Sequence, residues 1–264
     1  MMQFAFDLIS DLHLDTWDQT FDCTDRATSP HCVVAGDIGC DRHALLKFLT
    51  HLGRCYQAVF YIDGNTEHRD GIADLGASYK ELSRQVNAIP NVVFLQDNVV
   101  VVNGLAILGT NGWWGFNFDT TIDPEQCAAW YLEKENLNPQ VITTIKRAST
   151  TDANYMISSV KRLQTHRDVR GIVMVTHTVP DADLIRHDIS LDGSLKFNVM
   201  GNRFMRNALD QDTENKIKTW CFGHYHGSID QTRNGIRYVN NCRGRGDTQY
   251  SQWAYNPMRI VVDY

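Results

Sequence analysis

Five apolar runs along this 264-residue chain each end in a small cluster of carboxylate, amide or imidazole side chains. A short apolar run that stops at polar and turn-forming residues is typical of a buried strand leaving its sheet. In a parallel α/β sheet the carboxyl ends of the strands face one crevice, where side chains far apart in sequence can meet. The clusters contain, in chain order, Asp11 and His13, Asp37, Asn65, His177, and finally His224 and His226. Their repetition predicts an α/β fold with one polar site built from all five clusters.

Segments with a helical period lie between the first runs, as crossover connections in a parallel sheet require. Apolar side chains at Leu45, Leu49 and Leu52 predict a helix from about 43 to 56, and a second amphipathic helix fits 71–88. Three more strand-like runs follow, and Asn103-Gly104 between the last two favours a hairpin. This group of strands can begin a second sheet.

The pattern changes between about 113 and 168. An aromatic loop containing Trp113 and Trp114 precedes two stretches of helical sequence, from about 124 to 132 and from 139 to 166. Strand-like runs then return, and no linker rich in proline, glycine or serine divides the chain. We therefore predict a single domain over 1–264, with 113–168 inserted as a helical cap.

The charge and cysteine content restrict the partners and the compartment. A net charge of −6 argues against extended contact with nucleic acid or an anionic membrane, because both need clustered lysine and arginine. Neither a signal-like amino terminus nor an apolar run of about 18 residues is present. Seven cysteines without a Cys-x-x-Cys pair predict neither a disulfide framework nor a zinc knuckle. We expect most of them to be small core residues in a reducing, cytoplasmic compartment.

The mixture of donors in the five clusters indicates which metals the site would take. Imidazole and carboxylate together suit Zn, Fe and Mn, whereas oxygen ligands alone would suit Mg or Ca. Seven donors are too many for one tetrahedral ion, but two ions that share one carboxylate would use them all. Such a pair, about 3.5–4 Å apart, can polarise a phosphoryl group and activate a water molecule. The clusters therefore predict a two-metal hydrolase.

The order of these clusters resembles the calcineurin-like metallophosphoesterase family. Its motifs run Asp-x-His, Gly-Asp, Gly-Asn-His-Asp/Glu, His, and Gly-His-x-His, and the match spans residues 11 to 226. By this resemblance, one ion would be bound by Asp11, His13, Asp37 and His226, and the other by Asp37, Asn65, His177 and His224. Asp37 would bridge the two ions.

The resemblance also implies a fold and a reaction. The fold would be a four-layer α/β sandwich, in which two mixed β-sheets pack together between flanking helices. The reaction would be hydrolysis of a small phosphate monoester or diester by a water or hydroxide held between two divalent or trivalent ions, with Mn, Fe or Zn expected. Asp37, as the bridge, and Asn65 would then be catalytic residues.

The chain departs from the family pattern at Thr66, where the family usually has a histidine that contacts phosphate or protonates the leaving group. A threonine hydroxyl can hydrogen-bond a phosphate oxygen of the substrate, but it cannot act as an acid at neutral pH. His68 is therefore a candidate catalytic acid in its place. The alternatives are that the leaving group needs little protonation and that His68 is a surface or cap residue.

Two further groups are candidates for substrate contact. Arg243 lies in Asn241-Cys242-Arg243-Gly244, which resembles the Asn-Pro-Arg-Gly of bacterial family members, and could clamp a phosphate as a catalytic residue. The alternative is a solvated loop arginine. Trp113 and Trp114 could stack a nucleobase, which would favour a nucleotide-like substrate, or could pack the cap onto the sheet.

Two rival functions share this fold. One is a non-catalytic scaffold that binds a protein partner, as in the retromer subunit that resembles the family, and the intact donor set argues against it. The other is a nuclease resembling the DNA-repair branch of the family. The net negative charge and the lack of a band of lysine and arginine residues argue against a nuclease. A small phosphate-ester substrate is the remaining expectation.

Overall fold

The computed structural model describes residues 2–19, 21–188, 190–191, 193–248 and 254–264. Its strands form one sheet of five strands and one of six, and each sheet contains both parallel and antiparallel pairs. The second sheet, which the sequence indicated as an option for the later strands, is therefore present. No helix in these described ranges is long and apolar enough to cross a membrane.

The five-stranded sheet has the order β11-β1-β2-β3-β4. Its members are β1 (Gln3–Ile9), β2 (His31–Ala35), β3 (Ala58–Ile62), β4 (Val92–Phe94) and β11 (Met258–Asp263). Strands β1 to β4 run parallel to one another, and β11 pairs with β1 in the antiparallel direction. Strands buried on both faces need nearly continuous apolar sequence, which explains the run Val33-Val34-Ala35.

The six-stranded sheet has the order β5-β6-β7-β8-β10-β9. Its members are β5 (Asn98–Val102), β6 (Leu105–Thr110), β7 (Gly171–Thr176), β8 (Ile217–Phe222), β9 (Ser228–Arg233) and β10 (Ile236–Asn241). The predicted hairpin between β5 and β6 is confirmed, because these strands pair in the antiparallel direction. Asn103 and Gly104 at its turn have φ angles of 52° and 89°, as a type I′ turn requires.

The described residues form four α-helices. They are α1 (Arg42–Cys55), α2 (Leu75–Val86), α3 (Pro124–Glu135) and α4 (Gln140–Gln164). Shorter 3-10 helices occupy Leu14–Thr16, Thr66–Asp74, Ala182–Leu184, Leu195–Val199 and Met205–Gln211. The helix predicted over 71–88 is thus α-helical only from Leu75, where the Asp74 side chain accepts a hydrogen bond from the amide of Ala77 at 3.0 Å.

The apolar cores lie between these layers. The inner core joins the two sheets and contains Phe6, Leu8, Val33, Phe60, Ile107, Val173 and Cys221. One outer core lies under α1 and α2, and another lies between the six-stranded sheet and α4. The predicted sandwich of two mixed sheets flanked by helices is therefore confirmed.

A fourth apolar cluster holds α3 and α4 against the rest of the molecule. It contains Trp113, Trp114 and Phe116 from the aromatic loop, Tyr131 from α3 and Ile145 from α4. The aromatic loop therefore packs the inserted helices, as one of the two interpretations of Trp113 and Trp114 expected. The division into a single domain with a cap over 113–168 stays a prediction.

Candidate metal centre

The seven predicted ligands lie together where the two sheets meet. Asp11 and His13 follow β1, Asp37 follows β2 and Asn65 follows β3, all in the five-stranded sheet. His177 follows β7, and the histidines of the last cluster follow β8, in the six-stranded sheet. The crevice is therefore shared by the carboxyl ends of strands from both sheets, rather than of one open sheet.

One set of donors consists of Asp11, His13 and His226, whose potential ligand atoms all lie within 4.8 Å of one another. The Nε2 atoms of the two imidazoles are 3.1 Å apart, and Nε2 of His226 lies 3.4 Å from Oδ1 of Asp11. Asp11 and His13 are buried, and His226 is partly exposed. This set opens to solvent on the side of His226.

The other set consists of Asp37, His177 and His224, whose potential ligand atoms also lie within 4.8 Å of one another. Nε2 of His177 lies 3.1 Å from Oδ1 of Asn65 and 3.4 Å from Oδ1 of Asp37. The other carboxylate oxygen of Asp37 faces the first set, with Oδ2 3.7 Å from Nε2 of His13. Asp37 therefore turns one oxygen toward each set, which is the arrangement that a bridging ligand needs.

The backbone at four of these ligands adopts the left-handed region. The φ angles are 51° at Asp11, 42° at His13, 54° at Asp37 and 63° at His224. Asp and His tolerate this region better than most residues other than glycine, but it still stores strain. The left-handed conformation bends the chain at the end of each of these strands, so that the side chain turns into the crevice.

Hydrogen bonds orient the imidazoles and fix which nitrogen faces the crevice. Nδ1 of His177 donates to the carbonyl oxygen of Ala35 at 2.9 Å, which leaves Nε2 toward Asn65 and Asp37. Nε2 of His224 donates to the carbonyl oxygen of Val199 at 3.0 Å, which leaves Nδ1 free to bind an ion. Such a partner on the second nitrogen is the usual support of a metal-binding histidine.

The ionisation of the carboxylates fits ligand roles. Burial opposes the charge of Asp11, but a hydrogen bond from His226 and the nearby imidazoles outweigh burial and lower the pKa to about 2. Burial likewise opposes the charge of Asp37, and His177 together with His13 holds its pKa well below the usual range. Both side chains are therefore anionic donors at neutral pH.

The imidazoles divide into two classes. Burial lowers the pKa of His13, and burial with the neighbouring His177 lowers the pKa of His224 to about 3, so both are neutral donors. For His177, burial is outweighed by Asp37, which raises the pKa to about 10. Without ions, a proton on His177 compensates the buried carboxylates, and ion binding would displace it. The donor set therefore fits two ions of the Zn, Fe or Mn type.

The buried side chain of Glu67 connects two of the loops that form the crevice. Its carboxylate accepts hydrogen bonds from the backbone amides of Gly64 at 2.7 Å and Ile38 at 2.6 Å, and a longer one of 3.2 Å from the amide of Asp37. Burial first, and then the Asp37 charge, raise the pKa of Glu67 to about 8. Glu67 thus ties together the loops after β2 and β3, a role that sequence reasoning did not assign.

The crevice continues into a cavity of about 720 Å³. Four cationic side chains lie on its lining, namely Arg69, Lys134, Lys196 and Arg245. An apolar part of the lining includes Ile72, Trp114, Trp130, Tyr131, Leu137 and Val199. With Glu135 and Asp188 also on the lining, the cavity offers more cationic than anionic side chains beside the two donor sets, together with an apolar wall.

Two of the predicted substrate residues line this cavity. Thr66 donates from its backbone nitrogen and from Oγ1 to Oδ1 of Asp37, both at 2.9 Å, so its hydroxyl steadies the carboxylate. Trp114 is 1% exposed and stacks on the ring of His224, with centroids 5.4 Å apart. Trp113 is fully buried, does not line the cavity, and donates from Nε1 to the hydroxyl of Tyr79 at 2.7 Å.

His68 is fully buried, so the prediction of a surface residue is wrong. Its Nε2 lies 2.9 Å from Oδ2 of Asp63, and its Nδ1 lies 2.7 Å from Oγ of Ser78. Asn111 completes this network by donating to the same Asp63 oxygen at 2.7 Å. His68 does not line the cavity, and both of its ring nitrogens are engaged. The geometry offers no support for His68 as the acid, which stays a prediction.

Arg243 is 5% exposed and does not line the cavity, so it is not a solvated loop residue. Its guanidinium lies over the ring of Trp17, 3.8 Å from the centroid. The predicted clamp on a phosphate gains no support from this placement. Arg245, two positions later, lines the cavity instead.

Sequence reasoning missed Arg69, Lys134 and Lys196. Each is an exposed cation on a helical segment, and its sequence context does not distinguish it from other solvent-exposed charged residues. Of these three residues, Arg69 alone could have been suspected from the sequence, because it follows Asn65 of the third cluster by about one helical turn.

No protein-family model matches the chain. A protein named uncharacterized protein L509, from Acanthamoeba polyphaga mimivirus, is 21% identical over 285 aligned positions that cover 97% of each chain. Among solved structures, phosphopantetheinyl hydrolase (PptH) from Mycobacterium tuberculosis has a TM-score of 0.73 at 18% identity, over 97% of this chain and 95% of that one.

Two more solved structures share the fold more loosely. A putative 5'-nucleotidase from Staphylococcus aureus has a TM-score of 0.52 at 12% identity, over 99% of this chain and 54% of that one. GAP50, described as the anchor in the inner membrane complex of Plasmodium, has a TM-score of 0.50 at 11% identity, over 98% of this chain and 78% of that one. The chain therefore has the calcineurin-like phosphoesterase fold, and the predicted resemblance is confirmed for the fold.

Proposed function

We propose that this protein is a metal-dependent phosphoesterase that holds two divalent or trivalent ions and hydrolyses a small phosphate monoester or diester. The observation that carries the proposal is the position of Asp37, with one carboxylate oxygen toward each of two donor sets. The ligands would be those implied by the family resemblance, with Asp37 as the bridge. When bound, the two ions would supply Lewis acidity and an activated water.

The chain's own residues have defined tasks in this proposal. Arg69, Lys196 and Arg245 would attract the anionic substrate to the cavity and hold it beside the donor sets. Thr66 keeps Asp37 in place through two hydrogen bonds, and Trp114 backs the ring of His224. Since no side chain with an acidic proton lies at the Thr66 position, the leaving group is expected to need little protonation.

The apolar wall favours a substrate with an extended arm beyond its phosphate. Trp130 is partly exposed and Leu137 lies near it, so an apolar or planar group could pack there. PptH is named a phosphopantetheinyl hydrolase, and the Staphylococcus aureus protein is named a putative 5'-nucleotidase. Phosphate esters with a long arm and nucleotides are therefore the first substrates to assay.

Two rivals remain. GAP50 is described as an anchor, which keeps the scaffold alternative open for a protein of this fold, while the complete donor set here favours catalysis. The net charge of −6 continues to weigh against a nuclease. A cytoplasmic location, expected from the cysteine content, is part of the proposal, and cell fractionation tests it.

The test is a panel of phosphate monoesters and diesters, assayed with Mn, Zn, Fe, Co and Mg returned one at a time to the metal-free protein. We expect activity with at least one of the first three metals, and we expect Asp37→Asn to lose activity and bound metal together. Asp119→Asn is the matched control, because Asp119 is 3% exposed, close to the 2% of Asp37, but does not line the cavity. Full activity in Asp37→Asn would refute the mechanism, and metal binding without turnover of any ester would favour the scaffold.

A further inference from the structure

Two thiols and an imidazole lie together on a part of the surface separate from the candidate metal centre. Cys23 precedes β2, and His51 and Cys55 occupy one face of α1 at a spacing of four residues. The two sulfur atoms are 3.6 Å apart, and Sγ of Cys55 is 3.8 Å from Nε2 of His51. Oδ1 of Asp22 lies 3.0 Å from the same imidazole nitrogen.

These distances are close to those around a tetrahedral ion. With Zn–S bonds of about 2.3 Å and Zn–N bonds of about 2.0–2.1 Å, tetrahedral geometry separates two sulfur ligands by about 3.8 Å and a sulfur from a nitrogen by about 3.6 Å. The donor atoms of Cys23, His51 and Cys55 all lie within 4.8 Å of one another. Only small side-chain movements would therefore place an ion among these three donors, whereas Asp22, which lies outside this group and next to His51, would have to move further.

The surroundings of the cluster allow an ion to enter and orient the fourth donor. Cys23 is fully buried, whereas the side chains of His51 and Asp22 are 36% and 70% exposed. Thr24 donates to Oδ1 of Asp22 from its backbone nitrogen at 2.9 Å and from its hydroxyl at 2.7 Å. These hydrogen bonds hold the Asp22 carboxylate beside the imidazole of His51.

We propose that Cys23, Cys55 and His51, with Asp22 as the fourth ligand, bind a thiophilic divalent cation such as Zn²⁺. The ion would join the segment before β2 to helix α1 and would release the thiol protons on binding. Sequence reasoning excluded a zinc knuckle because no Cys-x-x-Cys pair is present. The ligands here are instead a His-x-x-x-Cys pair on one helix and a distant cysteine.

Simple core packing and a disulfide bond are rival interpretations of the cluster, and the test distinguishes both from a metal site. Packing of two small core thiols accounts for Cys23, which belongs to the core under α1, but it does not account for the imidazole and the carboxylate beside them. A disulfide between Cys23 and Cys55 would need the sulfur atoms about 2.05 Å apart and would leave His51 without a role.

The experiment is a titration of the metal-free, reduced protein with Co²⁺, followed through thiolate-to-cobalt charge-transfer absorption in the near ultraviolet. This signal requires a sulfur ligand, so imidazole and carboxylate ligands of the candidate metal centre do not produce it. We expect the band in the wild type and in the control Cys127→Ser, whose cysteine lies against the Leu195 carbonyl instead. The band should be lost in Cys55→Ser. In His51→Ala, a substitution at a partly exposed position, the Co²⁺ affinity measured from the band should fall at least tenfold.

Three outcomes would overturn the proposal. The wild type could give no band, which would show that the two thiols do not bind the ion. The band could persist unchanged in both variants, which would assign it to another thiol such as Cys242, whose sulfur donates to Oδ2 of Asp11 at 3.0 Å. Peptide mapping of the protein purified under reducing conditions could show Cys23 joined to Cys55, which would make the pair a disulfide.

Discussion

Gly64 lets the loop after β3 approach Asp37 as closely as the candidate metal centre requires. A Cβ at this position would collide with Oδ1 of Asp37 and would lie 2.5 Å from the backbone nitrogen of that residue. Gly223 meets a similar limit, since a Cβ there would lie 2.5 Å from Oδ2 of Asp11. The glycines of these two motifs are therefore explained by close packing against the ligands.

We expect Gly64→Ala to move the Asp37 carboxylate and to lower both metal content and kcat/KM at least tenfold. The matched control is Gly76→Ala in α2, where a Cβ would have an ordinary contact of 3.5 Å with Asp74 and should stabilise the helix by about 0.5–1 kcal/mol. Elemental analysis and steady-state kinetics on both variants measure the effect. Equal metal content and activity in the two variants would contradict this account of Gly64.

His68 is expected to stabilise the fold rather than to take part in the reaction. Removing it in His68→Ala leaves Oδ2 of the buried Asp63 with only the hydrogen bond from Asn111, and losing such a partner of a buried polar group costs about 1–3 kcal/mol. Chemical denaturation measures this loss, with the exposed His166→Ala as the control. The dependence of the rate on the leaving-group pKa should stay unchanged for a series of aryl phosphates. A steeper dependence in His68→Ala would instead identify His68 as the acid that replaces the family histidine.

At the scale of elements, helix α4 is attached to the aromatic loop by a buried carboxylate. Oδ2 of Asp152 accepts hydrogen bonds from the backbone amides of Gly112 at 2.8 Å and Trp113 at 3.0 Å, and Oδ1 accepts one from Gln96 at 3.3 Å. Burial first, and then the nearby Asp97 charge, raise the pKa of Asp152 to about 7. The position of Trp114 over His224 therefore depends on a group that titrates near neutrality.

The raised pKa of Asp152 predicts how stability changes with pH. Between the ordinary pKa of 3.8 and the folded-state value of about 7, the folded protein binds more protons at this site than the unfolded chain does. The contribution to the free energy of unfolding therefore falls as pH rises through this window, by up to about 1.4 kcal/mol per pH unit. Asp152→Asn removes the titration and costs about 1 kcal/mol at pH 4 through one lost hydrogen bond.

The measurement is the free energy of unfolding of Asp152→Asn minus that of the wild type, determined by denaturant titration from pH 4 to pH 8. We expect this difference to rise with pH up to about 7 and then to level off. Asp210→Asn, the same substitution at an exposed position, is the control. Parallel pH profiles for Asp152→Asn and the wild type would show that Asp152 does not titrate as proposed.

Most elements could be predicted because their apolar period is strong, and the exceptions have physical causes. Strand β9 (Ser228–Arg233) is mostly polar because it lies at the edge of its sheet, where only β10 pairs with it. The helical period of α4 shows which face is apolar, but it cannot show that Asp152 turns inward to bind the aromatic loop. The seven donors could be predicted as a group from their strand ends, whereas the cationic lining of the cavity could not, since its side chains become neighbours only through the fold.

At the scale of the whole molecule, the two ions would link the two sheets. One sheet supplies Asp11, His13, Asp37 and Asn65, and the other supplies His177, His224 and His226. The unfolded chain does not bring these donors together, so an ion binds the folded state alone. An ion present at about 100 times its dissociation constant would then stabilise the fold by about 2.7 kcal/mol.

Removal of metal should therefore lower the melting temperature. For a protein of this size, 1 kcal/mol corresponds to about 2–4 °C, so each ion bound at that excess should raise Tm by about 5–10 °C. Thermal unfolding in the presence of a chelator, and again after addition of Mn²⁺, measures the change.

Mn²⁺ prefers oxygen and imidazole ligands over thiolates, so its effect reports this centre rather than the cluster at Cys23. In Asp37→Asn, Mn²⁺ should restore little of the lost stability, because a side chain that faces both donor sets has lost its charge. If Mn²⁺ raised Tm equally in the wild type and in Asp37→Asn, the ions would not join the sheets through Asp37.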